Sequence, residues 1–444
     1  MGIFKAYDIR GVVPDDLDEA LAERIGRATV GALNAGSVLV SRDMRESGVP
    51  LSKALVRGLR AAGADVIDAG MTSTPMNYFA CGEYGTGASI MVTASHNPSR
   101  YNGFKMSGPG ASPVSYETGL GEIERRVIEG EFPSAAKPGA LEKRDVLADY
   151  KAFLGRFKEG IRPGLKVVVD TGNGIEGAFF DALYDDLGLE VTPLYFKPDG
   201  SFPNHEPNPL KYENLRDLQA KVRAERADLG IAFDGDADRV AFVDERGEIV
   251  SSDLVTALMA PTMLRTEPAG RVVVHDLRSS RAVAEEIRAH GGTPVETRVG
   301  HSYMKAVLRE REGVFGGELS GHYYFRDAYG CDTGDVAMLV VLGILSKSEA
   351  PMSELIRPLR RYCATGEINF EVEDKDGRIE AVARAFADAE LSRLDGISVA
   401  YPDWWCTVRK SNTEPILRLT LEAASPEARD RGRAAVEAVI TAKG

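Results

Sequence analysis

The chain has 444 residues, 43% of them hydrophobic, and a formal net charge of -13. That length allows two to four domains of roughly 100–200 residues, each with a sizeable core. The acidic balance argues against a general nucleic-acid or anionic-membrane binder, since both partners favour basic surfaces, but leaves room for a phosphorylated substrate held by a local cluster of Arg and Lys.

The N-terminus, "MGIFKAYDIRGVV", is too polar for a secretory signal, and no apolar run reaches about 18 residues. A cytoplasmic protein with no membrane partner is therefore expected. Next comes "SVLVSRD" (37–43), a β-branched strand, followed by a helix pattern. Leu51, Ala54, Leu55, Leu59 and Ala62 fall on one helical face, and Gly63 can close the helix. A later strand, "ASIMV", runs straight into the polar "TASHNP". The stretch "FPSAAKPGALEK" (132–143) reads as a linker.

The plan then repeats. "LKVVVDTGNG" (165–174) opens a second unit, whose later strand runs into "FDGDADR" (233–239) before a turn at "DERGE". "RVVVHDLRSS" (271–280) opens a third, whose later strand runs into "GGELSGH" (316–322). Strands alternating with helices imply mixed, largely parallel sheets. Ligands bind at the carboxyl ends of such strands, so three polar loops at corresponding places predict three similar α/β domains around one central cleft.

After "RYCATGE" the pattern changes. "INFEVED" alternates as a half-buried strand, and "DGRIEAVARAFADAE" is helical. "PILRLTLEA" puts Leu417, Leu419 and Leu421 opposite Arg418 and Thr420. Ser425-Pro426 starts a last helix. This is a C-terminal α+β domain. The expected divisions are 1–137, 138–248, 249–362 and 363–444. The four cysteines, Cys81, Cys331, Cys363 and Cys406, show no metal-type spacing and fit free thiols.

Chemistry concentrates in the loops. Asp234, Asp236 and Asp238 alternate after an apolar strand and repel one another unless a cation or strong donors neutralise them. Oxygen ligands suit Mg²⁺ or Ca²⁺. An EF-hand is rejected, because its sixth position would be Arg239 rather than Gly and the strand-like "VAFVD" follows where a helix should. Ser95 lacks a nucleophile-elbow context. His96 beside it is expected to point away, as consecutive side chains do in extended chain. A serine carrying a metal-bound phosphate fits better than a hydrolase triad, although a plain capping serine would read the same. "RKSNTEP" supplies Arg409, Ser411, Asn412 and Thr413, groups that can wrap a phosphate but also make an ordinary turn. Glu318 and Ser320 could bond neighbouring sugar hydroxyls. His301 and His322 sit on loops rather than in a core pattern.

Taken in order, "AYDIRG", "TASHNP", "NGFK", "DGDADR", "VGHSYMK", "GELSGH" and "SNTEP" resemble the α-D-phosphohexomutase superfamily, most closely its phosphomannomutase/phosphoglucomutase branch. The resemblance spans essentially the whole chain. It implies an enzyme that interconverts hexose 1-phosphate and hexose 6-phosphate, of mannose or glucose. The route is a phosphoserine at Ser95 and a hexose 1,6-bisphosphate, which also serves as activator. It implies Mg²⁺ on Asp234, Asp236, Asp238 and the Ser95 phosphate. Arg10 and Arg239 would steady that phosphate, and Lys105 would move protons. Glu318 and Ser320 would hold sugar hydroxyls, with Arg278, His301 and His322 lining the cleft. Arg409, Ser411, Asn412 and Thr413 would clamp the distal phosphate. Arg278 departs from the Lys frequent in the family. Asn412 and Leu319 depart from the glucosamine branch, which makes phosphoglucosamine mutase the alternative, beside a metal-dependent sugar phosphatase. A phosphosugar is the expected partner, no nucleic acid is, and the assembly is a monomer or small homo-oligomer.

Overall fold

The structure, a computed structural model, describes residues 2–411 and 416–442. Its first sheet contains β1 (Ile9–Val12), β2 (Ser37–Arg42), β3 (Asp65–Met71), β4 (Ala88–Val92), β5 (Tyr101–Ser107) and β6 (Leu141–Lys143), in the order β1-β5-β4-β2-β3-β6. The second holds β7 (Lys166–Asp170), β8 (Glu190–Leu194), β9 (Leu229–Phe233), β10 (Val240–Asp244) and β11 (Ile249–Val250), in the order β11-β10-β9-β7-β8. The third holds β12 (Val272–Asp276), β13 (Thr293–Thr297), β14 (Phe315–Gly317), β15 (Tyr323–Phe325) and β16 (Cys331–Asp332), in the order β13-β12-β14-β15-β16.

One plan recurs in these three α/β units. A buried strand (β2, β7, β12) pairs in parallel with the two strands that follow it, one on each side. The second of those then turns into an antiparallel partner: β4 into β5, β9 into β10, β14 into β15. All five residues of β4 and of β9 are buried, as near-continuous apolar runs covered on both faces should be. The helix Gly48–Ala61 buries Leu51, Ala54, Leu55 and Leu59, and Gly63 follows it at φ +96.

The stretch 132–143 is not linker throughout. It ends in β6, which pairs with β3 and so extends the first sheet past residue 137. All three β6 residues are exposed, so no apolar alternation marks them.

The C-terminal unit is a separate antiparallel sheet. It contains β17 (Cys363–Phe370), β18 (Glu390–Ser392), β19 (Ile397–Ala400), β20 (Trp404–Lys410) and β21 (Leu417–Ala423), ordered β17-β21-β20-β19-β18. Leu417, Leu419 and Leu421 are fully buried, and the Ser425 hydroxyl caps the last helix by accepting from the Ala428 amide at 3.2 Å. One apolar core runs through the first three units and includes Phe79, Phe233, Phe315 and Val336. The fourth unit keeps its own, around Ile379, Trp404, Leu419 and Ile440. Each fully buried side chain of this kind contributes about 1.5–3 kcal/mol. Among the described residues no single helix is long and apolar enough to cross a membrane. The apolar helix Gly334–Lys347 earns its composition by burial in the shared core.

Candidate active site

The three corresponding turns, after β4, β9 and β14, converge. In the first, Ser95 takes a left-handed backbone, φ +50, and is buried. Such a conformation costs a non-glycine residue on the order of 1 kcal/mol and needs surrounding structure to hold it. Arg45, itself buried, is that structure. Its guanidinium donates to the carbonyls of Ser95 (2.9 Å), Asn97 (2.6 Å), Pro98 (3.0 Å) and Tyr101 (3.1 Å), and it pairs with Asp43 at 3.2 Å. Thr93 links the two ends: its hydroxyl donates to Asp43 at 2.7 Å and accepts from the Ser95 amide at 2.9 Å.

The left-handed turn overturns one expectation from the sequence. His96 does not point away: its Nδ1 lies 3.0 Å from Ser95 Oγ, because the chain here is not extended. Burial and then the nearby Arg239, Arg10 and Lys105 hold this imidazole well below its ordinary pKa, so it is neutral. The hydroxyl itself donates to Asp234 Oδ2, at 2.8 Å.

Asp234, Asp236 and Asp238 are each 0% exposed, and one oxygen of each lies within 4.8 Å of the others. The glycine between the first two is required by a close approach. A Cβ on Gly235 would sit 2.4 Å from the Ser95 carbonyl oxygen, so the second unit's loop seats directly on the first unit's. Lys105, on β5, donates to Asp236 at 2.7 Å and also to Asp238. Burial alone would lower its pKa, but the carboxylates of Asp236, Asp238 and Asp234 outweigh burial and keep it an ammonium. Thr74 donates to Asp236 at 2.6 Å. One ammonium does not neutralise three buried carboxylates. Burial, then the charges of Asp236 and Asp238, push the Asp234 carboxyl well above the usual range. Asp236 Oδ1 has no hydrogen-bond partner among the described residues, and Asp238 Oδ1 faces His322 Nε2 at 3.4 Å. Clustered carboxylate oxygens with a serine oxygen beside them are a donor set for a hard divalent cation.

Arg239 reaches across to the third unit. Its Nε is 3.2 Å from His322 Nε2 and 3.8 Å from Asp234, and its backbone bridges that of His322. His322 is also 3.4 Å from Asp238 and 3.2 Å from Glu318. Burial and Arg239 push the His322 imidazole down, but Asp238 and Glu318 lift it to about 9. Burial would raise Glu318, but His322, Arg278 and Tyr324 bring it to about 2. The two form a buried ion pair. Glu318 also accepts from the Gly300 amide at 2.9 Å and the Tyr324 hydroxyl at 2.5 Å, and Ser320 Oγ lies 2.9 Å from His322 Nδ1. Arg10, on β1, donates to Asn97 at 2.6 Å and pairs with Asp8. His301 begins its helix edge-on to Tyr7, with ring centroids 4.7 Å apart, and 6.1 Å from His322.

Arg278 and Arg409 lie in a second cluster. Arg278 pairs with Asp276 at 2.6 Å, and Asp276 also accepts from the Leu319 amide, which ties the cluster to the Glu318 loop. Arg409 pairs with Glu367 at 3.1 Å. The Ser411 amide donates to the Ile416 carbonyl at 3.0 Å. Asn412 and Thr413 lie outside the described residues. A cavity of about 580 Å³ lined by Phe79, Tyr84, Arg144, Phe153 and Tyr329 lies elsewhere and contains none of these residues. Residues missed in the sequence are Arg45, His96, Thr74, Glu367, and the buried Lys305–Asp332 pair (2.6 Å), whose Asp332 lies 3.7 Å from His322. "SRDMRES" offered the one hint, charges crowded at the end of β2.

Three repeated units bring a serine, a carboxylate cluster and an ion-paired Glu–His loop to one place, a geometry suited to phosphoryl transfer. Four domain models of one family match the chain. These are the phosphoglucomutase/phosphomannomutase α/β/α domains I (1–134), II (149–247) and III (251–362), and the C-terminal domain (367–439). The chain belongs to the phosphoglucomutase/phosphomannomutase family. It is 40% identical over 425 residues to a Xanthomonas campestris protein named for phosphohexose mutases, covering 94% of each chain. It is 38% identical over 437 residues to the phosphomannomutase/phosphoglucomutase of Pseudomonas aeruginosa, covering 97% of this chain and 93% of that one. A crystal structure of a family member from Burkholderia thailandensis superposes with a TM-score of 0.91 at 38% identity, covering 100% of this chain and 98% of that one.

Proposed function

We propose that this chain interconverts hexose 1-phosphate and hexose 6-phosphate, of mannose or glucose, through a phosphate carried on Ser95 and a hexose 1,6-bisphosphate. The observation that carries the reading is the contact between units. Ser95 Oγ stands 2.8 Å from Asp234, while Lys105 spans the other two carboxylates. Mg²⁺ held by Asp234, Asp236, Asp238 and the Ser95 phosphate would neutralise the charge of the phosphoryl group in transfer.

The side chains divide the remaining work. In the first half, a sugar hydroxyl attacks the Ser95 phosphorus and the bond from phosphorus to Ser95 Oγ breaks. The hydroxyl proton passes to Lys105 as the Lys105 ammonium gives up one of its own, and that proton reaches the leaving Oγ by way of the neutral His96. In the second half the other phosphate of the bisphosphate faces Ser95. Oγ attacks, its proton returns to Lys105 by way of the neutral His96, and the sugar oxygen leaves with a proton from the Lys105 ammonium. Arg239 and Arg10 flank the phosphate and Glu318 and Ser320 hold sugar hydroxyls. Arg278, Arg409, Ser411, Asn412 and Thr413 hold the distal phosphate, and His301 and His322 line the path between. Water exclusion protects the phosphoenzyme from hydrolysis.

The test is to incubate the protein with glucose 1,6-bisphosphate and Mg²⁺, then map phosphate by peptide mass spectrometry before and after adding glucose 6-phosphate or mannose 6-phosphate. Phosphate on Ser95 that a hexose monophosphate discharges is the expected result. Phosphate that is never found on Ser95, or that is lost only to water, would overturn the mutase reading.

A further inference from the structure

Glu367 stands at the start of the C-terminal unit beside a β-bulge. The register of β17 on β21 slips between Ala364 and Glu367, with Gly366 at φ +70. A bulge re-aims the side chain next to it, and this one turns Glu367 onto three arginines. Arg409 lies 3.1 Å and Arg278 3.7 Å from Oε2, and Arg418 lies 2.9 Å from Oε1. Arg278 comes from the third unit, at the end of β12. Arg409 and Arg418 are directly opposed partners on β20 and β21. Like charges facing across a strand pair repel, so this arrangement calls for an anion. The arginines are largely shielded, their side chains 7%, 2% and 21% exposed, whereas the carboxylate that joins them is 25% exposed and carries a single charge. A phosphate dianion offers more charge and three acceptor oxygens to the same guanidinium forks.

We infer that Glu367 is a displaceable counter-anion, holding the arginine cluster between turnovers and yielding it to the distal phosphate of the substrate. The inference rests on the mutase reading, in which the bisphosphate must leave this clamp, turn, and enter it again. A carboxylate that refills the clamp as phosphate departs spares the arginines their mutual repulsion. It also weakens the clamp's hold enough for the intermediate to turn. Glu367 is thus a positioning residue that acts through the arginines.

Glu367→Gln keeps the side chain's shape and removes its charge. Calorimetry on the full chain should show inorganic phosphate and glucose 6-phosphate binding on the order of tenfold more tightly. KM should fall with the binding constant, kcat should fall because release slows, and Glu367→Asp, which keeps the charge, should return affinity toward that of the unaltered chain. A folded Glu367→Gln variant that binds phosphate no more tightly overturns the inference. A second measurement needs no variant. Saturating phosphate should raise carbodiimide labelling of Glu367 in the unaltered chain, and unchanged or reduced labelling overturns the inference. If the chain shows no mutase turnover yet phosphate still exposes Glu367, the counter-anion stands and the mutase reading falls. If turnover is normal and Glu367 is not exposed, the counter-anion alone falls.

Discussion

At Arg45 one guanidinium serves four backbone carbonyls 50 to 56 residues away along the chain. Arg45→Lys keeps the charge but not the fork, and it leaves buried carbonyls unpaired. A loss on the order of 3 kcal/mol is expected in urea unfolding, with slower phosphorylation of Ser95. Unchanged stability would show that the loop holds its left-handed turn without the brace. Asp236→Ala should abolish Mg²⁺-dependent turnover while the circular dichroism stays intact, and near-normal turnover would contradict the metal assignment. The cysteines make a third case. Burial pushes Cys331 up to about 11 and Cys406 up to about 12, whereas Cys363 is only half-buried. At pH 8 iodoacetamide should therefore modify Cys363 first, a sequence that peptide mass spectrometry reads directly. At this scale the sequence was legible wherever chemistry sits in a short pattern, as with the three alternating aspartates. It was illegible where a role depends on distant partners, as at Arg45 and Glu367. At His96 a sound rule for extended chain met a residue preceded by a left-handed turn.

Between elements, the loop after β9 is shaped by what it touches. Gly235→Ala drives a Cβ against the Ser95 carbonyl, so one of the two loops must shift. Turnover is expected to fall at least tenfold, with a far smaller change in melting temperature, because the strain is confined to two loops. A variant with full activity would mean that the loops tolerate a displacement of about 1 Å. The strands and crossover helices were readable because their apolar runs report burial directly. β6 was not, since an exposed three-residue edge strand pairs through its backbone and carries no side-chain signal.

At the scale of the molecule, the shared core buries a polar knot. Glu176, from the second unit, adjoins Asp335, from the third, and Asp335 accepts from the Tyr150 hydroxyl at 2.8 Å and from that of Tyr184. Burial first, then the Asp335 charge, hold the Glu176 carboxyl well above its usual range, so it keeps its proton in the folded chain. The unfolded chain gives that proton up above about pH 4.3, so stability declines as pH rises beyond that value. Glu176→Gln, neutral in both states, should melt higher at pH 7 to 8 and no higher at pH 4. A melting temperature that moves equally at both pH values would rule out this proton linkage.

The two separate cores also bear on how such a molecule can change over generations. The serine, the carboxylates and the lysine are all fixed within the three units that share one core, whereas Arg409 and Ser411 belong to a unit with a core of its own. Its seam with the third unit includes polar contacts, such as those of Arg281 with the carbonyls of Tyr401 and Pro402. A substitution that reshapes this last unit therefore need not disturb the packing beneath the reactive groups. The hold on the distal phosphate can drift, be traded by recombination near residue 363, or be engineered there, while the phosphoryl chemistry is inherited unaltered.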